Sequence, residues 1–144
     1  MFTLDIYRQV WKAYKDRFDT LKDQFPEYIR YCGMVESDKS VDVLKNYYAL
    51  LFPTYYEGEG FAGAVIDADS ADVSIVASDL RYNSELINDS TGYIYPTGNQ
   101  NAFVNILEKI GKDPTLMLCR KKSCIKEAQK YELAGVIKGL INQF

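Results

Sequence analysis

Two short runs of this chain, ALLF at 49–52 and SIVAS at 74–78, carry no charge and no apolar-polar alternation. A strand with one face in water alternates, so runs of this kind have to be covered on both faces, as the strands of a parallel sheet are. Three further segments read as strands: FTLDIY at 2–7, YIRYCG at 28–33 and GYIYP at 92–96. Helical spacing fills the gaps between them. Trp11, Tyr14, Phe18 and Leu21 share one helix face; Ser37 can cap a helix carrying Val41, Leu44 and Tyr48; 63–71 and 83–88 read as short helices. Strand and helix in alternation predict an α/β fold of three layers, a mostly parallel sheet of about five strands with helices on both sides. Beyond residue 96 the pattern is helical to the C-terminus. Phe103, Ile106, Leu107 and Ile110 share a face, Gly111 is placed to close that helix, and Asp113-Pro114 to open the next. Leu133, Val136, Ile137, Leu140, Ile141 and Phe144 form the apolar face of a last helix.

Size and charge narrow the classes of function. At 144 residues the chain reads as one domain, 1–144. Its net charge of -3 supplies no basic field, so no nucleic-acid partner is expected. No run is apolar and long enough for a membrane span, and the N-terminus has no signal-peptide pattern. Three cysteines, Cys32, Cys119 and Cys124, fit a reducing cytoplasm. Cys119 and Cys124 stand at C-x4-C spacing, but with no histidine in the chain and no second pair they read as free thiols on a helix rather than a zinc site. The missing histidine also removes the commonest general base and the usual partner of a serine or cysteine nucleophile.

The chemistry is concentrated at 52–67, FPTYYEGEGFAGAVID. Pro53 ends a buried strand, and parallel sheets bind ligands beyond the carboxyl ends of their strands. Glycines there let a backbone approach a ligand, and the unsatisfied N–H groups of a helix starting at Gly63 form an anion site suited to a diphosphate. Glu57, Glu59 and Asp67 would repel a phosphate, so they make better sense as acceptors for sugar or ribose hydroxyls. The plainer reading is a tight turn at Gly58 and Gly60 with solvated acids around it. Tyr55, Tyr56 and Phe61 can stack on a ligand but are expected rather to pack beneath the loop, and Arg120, Lys121 and Lys122 to form a solvated helix face.

The stretch 53–96, PTYYEGEGFAGAVIDADSADVSIVASDLRYNSELINDSTGYIYP, resembles the nucleotide-sugar-binding half of retaining glycosyltransferases of the GT-B type, the large family four group, in its polysaccharide-assembling members. The likeness lies in a proline-ended strand, a glycine-acid loop, acids at Glu59 and Asp67 in E-x7-D spacing, and the SIVAS and TGYI strands. Weaker likeness upstream, in LDIY, YIRYCGMV and LKNYYALLFPT, extends it over almost the whole chain. The resemblance implies a Rossmann-like donor-binding domain. It assigns donor-sugar contacts to Glu59, Gly60, Phe61 and Ala62, diphosphate contacts to Gly63 and Ala64, the ribose to Asp67, and base contacts to Gly33, Met34 and Val35. It implies no metal and no cofactor, the nucleotide-diphosphate sugar being the donor substrate.

Departures from the family pattern qualify this expectation. Ala62 stands where proline is usual, and Asp72 and Ser74 replace the usual glycine and proline, Asp72 being able to turn left-handed at some cost. The family's acceptor-binding domain, its Gly-Arg...Lys cations and the first strand of its C-terminal domain have no counterpart here, so no complete catalytic set is expected and the isolated chain is not expected to be competent. Its partner would be a separate acceptor-domain chain or a second copy. Direct pairing of the 2–7 and 49–52 strands would close the gap. The alternatives are a non-catalytic interaction or regulatory module that keeps the fold, and a phosphate-binding α/β protein such as a small nucleotide hydrolase.

Overall fold

The computed structural model describes residues 2–57, 63–118 and 120–129. Their elements follow in the order β1 (Leu4–Tyr7), a 3-10 turn (Lys12–Tyr14), α1 (Lys15–Lys22), β2 (Ile29–Gly33), α2 (Ser40–Leu44), β3 (Ala49–Phe52), α3 (Gly63–Ser70), β4 (Ser74–Ser78), α4 (Asn83–Leu86), β5 (Gly92–Tyr95), α5 (Gln100–Lys112), α6 (Thr115–Leu118) and α7 (Lys121–Ala128). The chain divides into two units, residues 1–39 and 40–144. All five strands pair in parallel, in two sheets ordered β1-β2 and β3-β4-β5. The α/β class is therefore as the alternation predicts; the ladders within the units are β1 with β2 in the first and β3 with β4 and β4 with β5 in the second.

In the first unit, β1 and β2 lie in register from Leu4↔Ile29 to Ile6↔Tyr31, and the register shifts before Tyr7↔Gly33. Gly33 takes φ +80°, where a side chain would be strained. Directly opposed Asp5 and Arg30 form a two-bonded fork, Nε to Oδ1 and Nη2 to Oδ2, both at 2.8 Å. Phe18 of α1 sets its ring edge-on against Tyr31 at 4.8 Å and against Phe25 at 6.3 Å.

The second unit has three layers. Every residue of β4 is buried. Ile75 and Ala77 point into a cluster with Val65 and Ala68 of α3 and Leu86 of α4, against which Val41 and Leu44 of α2 pack. Val76 points the other way, toward Ile110 of α5, Met117 of α6 and Tyr95. This period of two on a strand buried on both sides is why SIVAS shows no polar alternation. β5 crosses close to β4 at Gly92, where a Cβ would stand 2.1 Å from the Ile75 carbonyl oxygen. At the end of α3, Asp72 turns left-handed at φ +59° and Val73 N–H returns to Ala68 O at 2.9 Å, as the position requires.

Two helix boundaries differ from expectation. α2 begins at Ser40 rather than at Ser37. α5 runs through Gly111 to Lys112, because its stop is supplied by Asp113. The Asp113 carboxylate accepts from Thr115 N–H at 3.1 Å and Thr115 Oγ1 at 2.6 Å, which opens α6 as the Asp-Pro pair predicts. The apolar face expected at 133–144 lies outside the described residues. No described helix is long and apolar enough to cross a membrane.

Candidate functional site

The carboxyl ends of the three strands in the second unit are tied to one another. Ser78 Oγ, at the end of β4, donates to Thr54 O beyond β3 at 2.8 Å, and buried Asn83 Nδ2 donates to Ser78 O at 3.0 Å. Asp79 N–H reaches Tyr95 O at the end of β5 at 2.9 Å. Thr97 N–H and Oγ1 both donate to Asp79 Oδ1, at 2.7 and 2.9 Å, and these donors, the backbone one first, hold the Asp79 carboxyl below its ordinary range. A rim laced in this way keeps its loops at fixed distances, as a ligand site requires.

From this rim rises α3. Its first residue, Gly63, is exposed, and no atom of the described residues lies within 4 Å of where a Cβ would stand. Ala64 is half-buried. Asp67 follows one turn on, also half-buried, and its Oδ2 accepts a hydrogen bond from Ser40 Oγ, the first residue of α2, at 2.5 Å. Glu59, Gly60, Phe61 and Ala62 lie outside the described residues. Gly33, Met34 and Val35 belong to the first unit, where Gly33 ends β2, Met34 is exposed and Val35 half-buried. Of the residues singled out in the sequence, the structure brings together Gly63, Ala64 and Asp67, on one helix.

Several readings change. Tyr55 and Tyr56, beside the exit of β3, are 57% and 66% exposed rather than covered, and the loop they were expected to pack beneath lies outside the described residues. Arg120 is not a solvated cation, since its guanidinium lies 4.4 Å from the Tyr93 ring centre, donates to Asp89 O at 2.9 Å and also bonds Leu116 O. Cys124 is buried in α7, which packs on α3. Burial, and then the neighbouring Asp69 carboxyl, push its thiol up to about 12, which makes it an inert core group. Cys119 lies outside the described residues. Among those residues no three or more acidic, cysteine or histidine side chains gather where a metal ion could sit. Ser40 and the Asp79-Thr97 pair carry no local sequence signal, because their partners are distant in the chain.

The family described as "Glycosyl transferases group 1" matches residues 9–113. No curated protein matches the chain. Among solved structures, sucrose-phosphate synthase from Thermosynechococcus elongatus is similar with TM-score 0.74 and 19% identity, covering 98% of this chain and 37% of its own. TarM is similar with TM-score 0.76 and 19% identity, covering 97% of this chain and 28% of its own. The chain thus spans well under half the length of either, and at that identity what is shared is the fold.

Proposed function

The chain belongs to the group 1 glycosyl transferases, and from that premise we propose that it is the donor-binding half of a retaining enzyme that transfers a sugar from a nucleotide-diphosphate sugar to a glycan or polysaccharide acceptor. The observation that carries the reading is the order of groups along α3: an exposed helix start at Gly63 directly after the glycine-acid loop, and a side-chain carboxylate at Asp67 one turn further. The first-turn N–H groups of a helix have no partner within it and carry the positive end of its dipole.

In this reading the diphosphate sits against Gly63 and Ala64, and the ribose hydroxyls donate to Asp67. The transferred sugar lies toward Glu59, Gly60, Phe61 and Ala62. As the bond from the sugar to the diphosphate breaks, negative charge grows on the leaving oxygens, and N–H groups already aimed there stabilise it without reorganising. The acceptor side comes from a separate chain or a second copy, so the chain alone does not turn over. The reaction is placed in the cytoplasm, with no metal required.

Titration with a panel of uridine and guanosine diphosphate sugars tests this. Without divalent metal, binding is expected toward the millimolar range, because an isolated half-site lacks the closing partner. Asp67→Ala weakens the bare nucleotide and the sugar conjugate alike, whereas Glu59→Ala weakens only the conjugate. Amide shifts that leave Gly63 and Ala64 unmoved would overturn the reading.

A further inference from the structure

The carboxyl edge of the second unit carries exposed groups that donor binding does not use. Tyr55 and Tyr56 stand exposed beyond β3, where Tyr56 N–H donates to Thr54 Oγ1 at 3.3 Å. Asp79 follows β4 and Thr97 follows β5, and both are exposed. These three exits are joined. Ser78, the residue before Asp79, bonds the carbonyl of Thr54, the residue before Tyr55, at 2.8 Å, and Thr97 holds Asp79 through two bonds. Burial, and then the Tyr55 hydroxyl, push the Tyr95 hydroxyl at the end of β5 up, so Tyr55 lies over the edge toward that strand. With β4 between β3 and β5, the two outer exits stand about 10 Å apart, a span that two linked sugar rings cover.

The groups on this edge select their guest. Both Thr97 donors fall on Asp79 Oδ1, and among the described residues no other residue donates to Oδ2. An ionised carboxylate can only accept hydrogen bonds. A tyrosine offers a flat apolar ring with a polar tip. An acidic ligand meets a like charge at Asp79, and an apolar one leaves its carboxylate unused. A neutral saccharide suits both groups, because its ring turns C–H bonds toward an aromatic face and hydroxyls toward a carboxylate. We propose that this edge is a subsite for a neutral glycan acceptor, with Tyr55 and Tyr56 stacking on its sugar rings and Asp79 accepting its hydroxyls. The proposal rests on the reading that the transferred sugar goes to a glycan. The partner that supplies the rest of the acceptor side then completes a site that this chain begins.

The test is an amide-shift titration of the full chain with maltohexaose, cellohexaose and chitohexaose and, as the acidic comparison, a hexamer of galacturonic acid, all without nucleotide. At least one neutral hexamer is expected to bind toward the millimolar range, with shifts at Tyr55, Tyr56, Asp79 and Thr97, and the acidic hexamer more weakly. Tyr56→Ala should weaken that glycan about fivefold, whereas Tyr56→Phe, which keeps the ring, should bind as the native chain does. Asp79→Asn should weaken it about threefold. These side chains are exposed, so the variants are expected to fold, which circular dichroism checks. Neutral hexamers that leave the edge unmoved, a preference for the acidic hexamer, or native affinity in Tyr56→Ala would overturn the proposal. A chain that binds a nucleoside diphosphate at Gly63 and Ala64 but no glycan overturns the subsite alone. One that binds a neutral glycan on this edge but no nucleoside diphosphate overturns the donor reading alone.

Discussion

In residues 1–39, two parallel strands carry one α-helix and no described residue is buried as a whole; in residues 40–144, three parallel strands are covered on both faces and every residue of β4 is out of water. The difference is the middle strand. A strand with two ladder neighbours and two covered faces becomes a core, whereas a two-stranded sheet consists only of edges and is marginal on its own side chains. The first unit accordingly relies on specific pairs, the Asp5–Arg30 fork and the Phe18 ring contacts, while Trp11 and Tyr14 remain 70% and 65% exposed.

The largest effect is expected where the second unit is tightest. In Gly92→Ala the new methyl would meet a backbone carbonyl at 2.1 Å, and a backbone atom cannot swing aside as a side chain does. A loss of about 3 kcal/mol or more is expected from chemical denaturation. A native midpoint would mean that β4 and β5 can spread, and that this unit is less tightly packed than the contrast claims. Next, Ile75→Ala should cost about 2 to 5 kcal/mol through lost burial and the cavity left behind. The matching change in β1, Ile6→Ala, acts on a half-buried residue and should cost about 1 kcal/mol. Equal losses at the two positions would remove the distinction between a core strand and an edge strand.

The strands and the α/β class were legible because continuous apolar runs and helical periodicity are local properties, as in 49–52 and 74–78. Asp113-Pro114 was legible for the same reason: a cap acts within a few residues. What the sequence could not disclose depends on distant partners. Ser40 is bound to a carboxylate 27 residues on, Arg120 is held by Asp89, 31 residues back, and by the Tyr93 ring, and Gly111 stays helical because the next stop signal overrides it. The division of five strands into two sheets is likewise a matter of ladders between distant segments. Within the site, the positions of Gly63 and Asp67 on one helix follow from their spacing, but the hydroxyl that orients Asp67 does not.

Thiol chemistry separates the two units by a further, smaller perturbation. Cys32 is exposed in the first and Cys124 buried in the second. With its thiol pushed up to about 12, Cys124 is almost wholly protonated at pH 8, and the thiolate is the reactive form. Alkylation at pH 8, resolved by peptide mass, should modify Cys32 promptly and Cys124 only when the second unit unfolds. Labelling of Cys124 at the rate of Cys32 would show that α7 opens readily, against the picture of a closed core.

The smallest effect is expected at the rim, where the second unit meets water. Asp79 has its carboxyl held below the ordinary value of 3.8, first by Thr97 N–H and then by the Thr97 hydroxyl. Because the folded state favours the ionised form, this contact stabilises above the unfolded value, and the contribution fades as pH falls through the lower folded one. The carboxylate lies open to solvent, so screening keeps the contribution slight, and it is read best as a titration rather than as a melting temperature. The Asp79 side-chain carbon should titrate in NMR below pH 3.8, and the Thr97 amide shift should follow it with the same midpoint. In Asp79→Asn the acid-dependent shift of Thr97 should vanish, while the Asp79 N–H bond to Tyr95 O, a backbone contact, persists in hydrogen exchange. If Thr97 still titrates in that variant, another acid holds the end of β5 against β4, and the rim is built differently from the network that surrounds the candidate site.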